Sequence, residues 1–574
     1  MAVVKVILWF INGLVRLGDG GYSSLAELLG SVAKLSIVFL TPNLTEAYVL
    51  YVIMKIIIYI NALFIWYSVF YSVHIMEKIY EFSKLLAKFE KTFATMIPQN
   101  DSSPLKRLSD IAFSGVKLSD EECMKKIYGK RNVNAFSSLK ARLLDKLSLL
   151  AIVQEVDQGN KKEYFIQRID NLKKIVSSNT ILANGQIELG LEMLEKAIEV
   201  SIKQEFTENV IISSRRLIIG YGSEMYNKYK YNKYLEIQGK YINIYMLEIK
   251  AQNYFFELQK TNINSLTIPS EKLIQKTIMY SRELENESEI KTSFYLYNKY
   301  RINAIYCEYV KDYNTLLNIS NQAILELTSS ENRFPKEISN IKIRIMLALI
   351  QMGKLGEAIS FGEKASLKTV PNSNSWFRIN YYIVKAYIYS GEYNLAIQLL
   401  ITIRDKGILK KFPNYTEIVY TLLGYMHLLI NSKYITLPKK ILNNLPDFKL
   451  GKYLNSVPIY SKDKYGINVS ILLMQVGFLL LRKDYNTIID RIDSLKQYAY
   501  RYLRRDDSFR SNCMIKMVVQ MTKADFHPVR TERYTADLFK QLKSVNLAGS
   551  GENIEIEVIP FEVLWEIMLK SLKD

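Results

Sequence analysis

From residue 76 onward, apolar positions recur every three or four residues, the spacing of a single buried stripe on a helix. Phe136, Leu139, Leu143, Leu144 and Leu147 share one such face. Leu191, Leu194, Ala197 and Ile198 share another, between Gly190 and Lys203. Ser119 followed by Glu122 forms a capping box, in which each side chain satisfies a backbone N–H left open by the first helical turn. Gly129 closes that helix. Near the end of the chain, Ile554, Ile556 and Val558 alternate with Glu555 and Glu557, which predicts a brief strand stopped by Pro560. Phe561, Leu564, Trp565, Met568, Leu569 and Leu572 then mark one face of a last helix, the expected cap on an open stack of helices.

Between about 300 and 490 a longer period is superimposed. A small or polar turn is followed by an aromatic residue or leucine, and three positions later by another apolar residue. The pairs are Tyr313 with Leu316, Leu355 with Ala358 after Gly353, and Tyr393 with Ala396 after Gly391. Tyr434 with Leu437 and Tyr485 with Ile488 complete the set. The anchors lie 42, 38, 41 and 51 residues apart. A period near 40 is what stacked helical hairpins require, because no hairpin can bury its apolar side without a neighbour. The turn is tight, the ring fills the wedge between paired helices, and alanine lets the backbones approach.

On these residues the chain resembles the tetratricopeptide repeats, most closely over 376–403 and 341–365. Leu400 and Gly362 stand where that family carries an aromatic residue. From about 100 to the end it is also similar to a group of large, uncharacterised bacterial TPR-like proteins, through the Ser119–Glu122 helix, the repeat body and the Ile559–Trp565 segment. The resemblance implies an all-α, TPR-like α-solenoid, a right-handed superhelix of helical hairpins, and carries over no activity. The segments expected are a hydrophobic N-terminal segment (1–75), a helical N-terminal region (76–160), the repeat body (161–545) and a C-terminal capping helix (546–574). Repeat solenoids grip a peptide or helix of another protein on the concave face, using the first helix of each hairpin. Tyr382, Lys385 and Tyr389 lie on that helix in the clearest unit and are the expected groove residues.

Residues 1–75 depart from this pattern. Ile56 to Val73 is 18 residues without a charge, and Ala47 to Met54 extends it upstream of Lys55, a length sufficient to cross a bilayer as a helix. Lys78, Lys84, Lys88 and Lys91 follow it, which would leave the C-terminal bulk in the cytoplasm, tethered to the inner membrane. Two other readings stand beside a membrane anchor: a buried core helix, or a start assigned upstream of Met76.

A net charge of +19 raises nucleic acid as an alternative partner. The excess is spread along a chain rich in Lys, Ile, Asn and Tyr, a bias an AT-rich genome would also produce. Tyr226 to Tyr245 interleaves tyrosines with Lys228, Lys230, Lys233 and Lys240, as a single-strand binder would, but a helix with inward tyrosines and snorkelling lysines looks the same. The helix pair 119–148 reads as a helix-turn-helix with Lys140, Arg142 and Lys146 toward DNA and the repeats as sensor. Arg501, Arg504, Arg505 and Arg510 form a basic cluster diluted by Asp506 and Asp507.

Chemistry is hard to find. Three cysteines and three histidines lie scattered, without metal-ligand spacing. Gly220-Tyr221-Gly222-Ser223 lacks the lysine and third glycine of a phosphate loop. Cys307 sits on an apolar helix and His427 among core residues, so a nucleophile–base pair is the weaker reading of both. The sequence therefore predicts a binding protein with no catalytic residues, no cofactor and no metal.

Overall fold

The computed structural model describes residues 75–98, 100–153, 163–264, 270–287, 291–327, 335–412, 415–451, 453, 467–502, 509–545, 554 and 556–573. Chain contacts divide it into two units, Met1–Asn160 and Lys161–Asp574. Every regular element among the described residues is a helix. The apolar stretch 56–73 lies outside the described residues, and no described helix is long and apolar enough to cross a membrane.

In the first unit, helix α1 (75–85) precedes α2 (Pro104–Phe113), α3 (Asp120–Tyr128) and α4 (Val133–Val153). Ile79, Leu108, Cys123, Phe136, Leu143 and Leu147 form their shared core. The capping box opens α3: the Glu122 N–H donates to Ser119 Oγ at 3.3 Å, and the Ser119 N–H to Glu122 Oε2 at 2.8 Å. Gly129, at φ +73°, ends it. Lys140 of α4 is fully buried, its Nζ 2.6 Å from the Asp120 carboxylate. The DNA-facing row expected of Lys140, Arg142 and Lys146 thus loses its first member to an internal ion pair.

The second unit begins with α5 (Glu163–Ala183), α6 (Ile187–Lys203), α7 (Thr207–Ile219), α8 (Lys228–Asn264) and α9 (Glu271–Glu285). Paired helices follow: α10 (Ser293–Val310) with α11 (Tyr313–Leu327), α12 (Pro335–Gln351) with α13 (Leu355–Leu367), and α14 (Asn374–Tyr389) with α15 (Tyr393–Asp405). Then come α16 (Thr416–Asn431), α17 (Ile467–Leu481) with α18 (Tyr485–Tyr502), α19 (Phe509–Lys523), α20 (Pro528–Ser544) and α21 (Phe561–Lys573). Each helix of a pair packs on its partner, and α12 also packs on α14 and α16 on α17.

One turn recurs between the helices. Lys311, Gly353, Gly391, Lys433 and Lys483 all have φ between 54° and 80°. The N–H of the next residue reaches back five positions, from Asp312 to Cys307, Lys354 to Leu349, Glu392 to Tyr387, Tyr434 to Leu429 and Asp484 to Leu479, at 2.8–3.0 Å. This Schellman closure needs a left-handed residue, which glycine adopts freely and lysine adopts here three times. Tyr313, Leu355, Tyr393 and Tyr485 each open the following helix two residues beyond it. Tyr434 stands one residue early. Its hydrogen bond aligns it with Asp312 and Lys354, so Ile435 holds the place matching Tyr393, and behind Pro438 only the short turn Lys439–Leu442 follows. Leu316, Ala358, Ala396 and Ile488 are fully buried, and Leu437 is half-buried. At Gly362 there is no room for a side chain: a Cβ there would fall 2.5 Å from Met346 Cε and 2.7 Å from Ile383 Cγ1.

The strand expected at 554–558 does not form. Ile554 and Ile556 lie in turns, and Ile556, Glu557 and Val558 are all buried, so the polar residue is not on a solvent face.

Candidate functional site

Helices α10, α12 and α14 carry equivalent residues at equivalent places. Tyr297, Asn340 and Arg378 are 43 and 38 residues apart, as are Arg301, Arg344 and Tyr382. The two rows are four residues apart on each helix and so share a face. The first row is hydrogen-bonded across all three helices: Asn340 Nδ2 donates to the Tyr297 hydroxyl at 3.0 Å, and Arg378 Nη1 donates to Asn340 Oδ1 at 2.8 Å. The second row surrounds a cavity of about 300 Å³ that Phe255 of α8, Glu308, Ile343 and Leu347 also line.

The three arginines of this cavity are held differently. Arg344 donates its Nε–H to Glu308 Oε1 at 2.6 Å. The guanidinium carbon of Arg301 lies over the Phe255 ring, 3.0 Å from its centroid, and Arg301 donates to Asn298 Oδ1 at 3.1 Å. Neither Arg301 nor Arg378 forms an ion pair among the described residues, although the Glu337 carboxylate acts on Arg301 at longer range. Burial pushes the Arg301 guanidinium down to about 10, against the opposing pull of Tyr297, and the like charge of Arg344 adds to the push. The Glu308 carboxylate drives Arg344 upward, against its own burial.

Further along α14 the surface is already covered. Lys385 is fully buried, and its Nζ donates to the carbonyls of Ile554, Glu557 and Val558 at 2.6, 3.2 and 3.3 Å. The Tyr389 hydroxyl donates to the Glu557 carbonyl at 2.6 Å. Two of the three expected groove residues therefore hold the chain's own C-terminal segment, and only Tyr382 faces the cavity. Beneath Lys385 a space of about 10 Å³ remains, room for about one water.

The same segment is fixed from its other side. Arg510 of α19 is fully buried, contributing nothing to the basic cluster expected around Arg501. It bonds both Glu557 carboxylate oxygens at 3.0 and 2.7 Å, Glu562 at 2.7 Å, and the carbonyls of Leu542 and Val545. Glu557 Oε1 also accepts the Phe561 N–H at 2.8 Å, capping α21. From there α21 lies on α17, α19 and α20, with Trp565 fully buried, Lys483 bonding the Ser571 carbonyl and Lys570 that of Ser432.

Other candidate chemistry is not assembled. His427 bonds the Pro446 carbonyl at 2.8 Å and stacks on Phe448, and burial lowers its pKa. Cys307 is buried, which pushes its thiol up to about 11, the reverse of an activated nucleophile. Gly220–Glu224 is a π-helical turn between α7 and α8. In the lysine–tyrosine stretch, Tyr234 packs inward and donates to Glu195, which Lys230 also pairs, while Tyr226 and Tyr229 remain exposed. No group of acidic, histidine and cysteine residues able to hold a metal occurs among the described residues.

Sequence reading missed Arg301, Arg344 and Arg378. Aligning the hairpins on their turn residues would have placed them in register, since the separations match the repeat period. Comparison with known proteins returns no matching family model, no matching curated protein and no matching solved structure.

Proposed function

We propose that the second unit is a TPR-like solenoid, its hairpins following one another as a right-handed superhelix, and that it works by binding without catalysis. The partner is a peptide or helical segment of another protein, received on the inner face of α10, α12 and α14. One observation carries this: repeat-equivalent polar side chains from three alternate helices meet around one cavity, with two guanidiniums that form no ion pair among the described residues. Repeat proteins bind through such aligned faces, and half-buried guanidiniums without an ion-pair partner suit an acidic group of a partner. The binding stretch ends at Tyr382, because Lys385 and Tyr389 are engaged internally.

Arg378→Glu should release polypeptides that the wild-type chain retains from its own source's extract. Lys364→Glu, on the exposed side of α13, should keep them. Identical retained sets for wild type and both variants would sink the assignment of this face.

A further inference from the structure

We propose that the arginine cavity between α10, α12 and α14 is a site for a doubly charged phosphate monoester. The inference rests on the inner face being a binding surface and names what it takes.

The charge count comes first. Among the residues lining the cavity, Arg301, Arg344 and Arg378 bring three positive charges and Glu308 one negative, an excess of two; the Glu337 carboxylate acts on Arg301 from outside the lining. A single carboxylate would leave half of that excess standing, whereas a phosphate monoester above its second pKa of about 6 matches it. The donor geometry comes second. A guanidinium has five N–H donors in a rigid fork suited to phosphate oxygens. Within the protein, Arg301 spends one donor on Asn298, Arg344 one on Glu308 and Arg378 one on Asn340. Each of those contacts orients its fork and leaves most of it unspent.

Preorganisation is third. Arg301 is laid on Phe255, and Arg378 is braced through Asn340 to Tyr297, so the cations are positioned before any ligand arrives. This lowers the entropy cost of binding. A volume of about 300 Å³ lies at the small end of ligand sites, enough for a phosphate with a modest organic group. The depressed Arg301 pKa belongs to the same picture, since a dianion would relieve the crowding by Arg344.

The phosphate could arrive on a free small molecule or on a phosphorylated side chain of the partner. Both offer the same dianion, and the probes separate them. Calorimetric titration of the full chain uses phenyl phosphate, a nucleoside monophosphate, a short phosphoserine peptide, inorganic sulfate and glutarate. The proposal expects at least one phosphate ester to bind more tightly than sulfate and glutarate. Tighter binding of the peptide assigns the partner as the source, and tighter binding of the small esters assigns a metabolite. Affinity should fall roughly fourfold from about pH 7.5 to about pH 5.5, as the dianion regains its proton. Arg378→Ala should weaken binding about tenfold or more, and Arg301→Lys, which keeps the charge but not the fork, should weaken it too. Loss of partner retention in Arg378→Glu alongside no binding of any phosphate ester would overturn this inference and leave the proposed function standing. Equal affinity for sulfate or glutarate, without pH dependence, would overturn it as well.

Discussion

Glu248 of α8 is buried with its carboxylate between the hydroxyls of Thr207 and Thr292, which donate to it at 3.1 and 2.7 Å. Burial raises its pKa above the ordinary 4.5, the charges of Glu205 and Glu208 add to this, and the two hydroxyls only partly oppose it. The folded chain therefore holds this proton more tightly than the unfolded chain does. Its contribution to stability declines as pH climbs from 4.5 through the raised value. Glu248→Gln keeps an acceptor for both threonines and removes the charge. Melting curves should show a higher Tm than wild type at neutral pH and little difference near pH 4.5; a lower Tm at neutral pH would show the charge to be used. Lys385 presents the opposite case, a buried cation whose ammonium satisfies three carbonyls. Lys385→Met leaves those acceptors without it, and urea unfolding should register a loss of about 1–3 kcal/mol. In the sequence Lys385 is indistinguishable from a groove lysine, because being on the inner helix does not reveal what lies over it.

At the scale of elements, the segment from Ile554 into α21 behaves as part of the core. It is pinned by Lys385 and Tyr389 of α14 on one side and by Arg510 of α19 on the other. Removing one member of a buried ion pair strands the other, so Arg510→Ala should cost about 3–5 kcal/mol, read by denaturant unfolding. It should also make residues 556–573 cleavable in limited proteolysis under conditions where they resist in the wild-type chain. Unchanged proteolysis would mean that α21 is held without this ion pair. The apolar stripe from Phe561 to Leu572 was legible as an amphipathic helix. The lead-in was not, because Ile554, Ile556 and Val558 carry the period of a strand while tertiary contacts bury Glu557 along with them. The inner helices also approach closely where side chains vanish: a Cβ at Gly477 of α17 would sit 2.8 Å from Leu428 of α16.

At the scale of the molecule, burial is unevenly shared along the second unit. One apolar cluster runs from Ile343 to Leu572, joined by α21, whereas residues 175–348 divide among smaller clusters. Stacked repeats lose cooperativity where neighbours share little apolar surface. Hydrogen exchange should therefore find α14, α16 and α17 exchanging last and together, and α5 to α7 opening earlier. Uniform protection across the unit would contradict this ranking.

The sequence by itself determined the helical character, the capping box at Ser119, the hairpin period and four of the five turn anchors. These rest on local rules, where side-chain spacing decides the buried face and a left-handed turn residue ends each helix. Tertiary structure alone decided which part of the inner face is open. Arg301, Arg344 and Arg378 meet only because successive helices stack in register. Lys385 and Arg510 are buried because a segment about 170 residues beyond Lys385 returns to cover them, and Glu557 of that segment is buried between them. Burial and pairing are properties of what a side chain faces across the fold, and no periodicity along one helix encodes that.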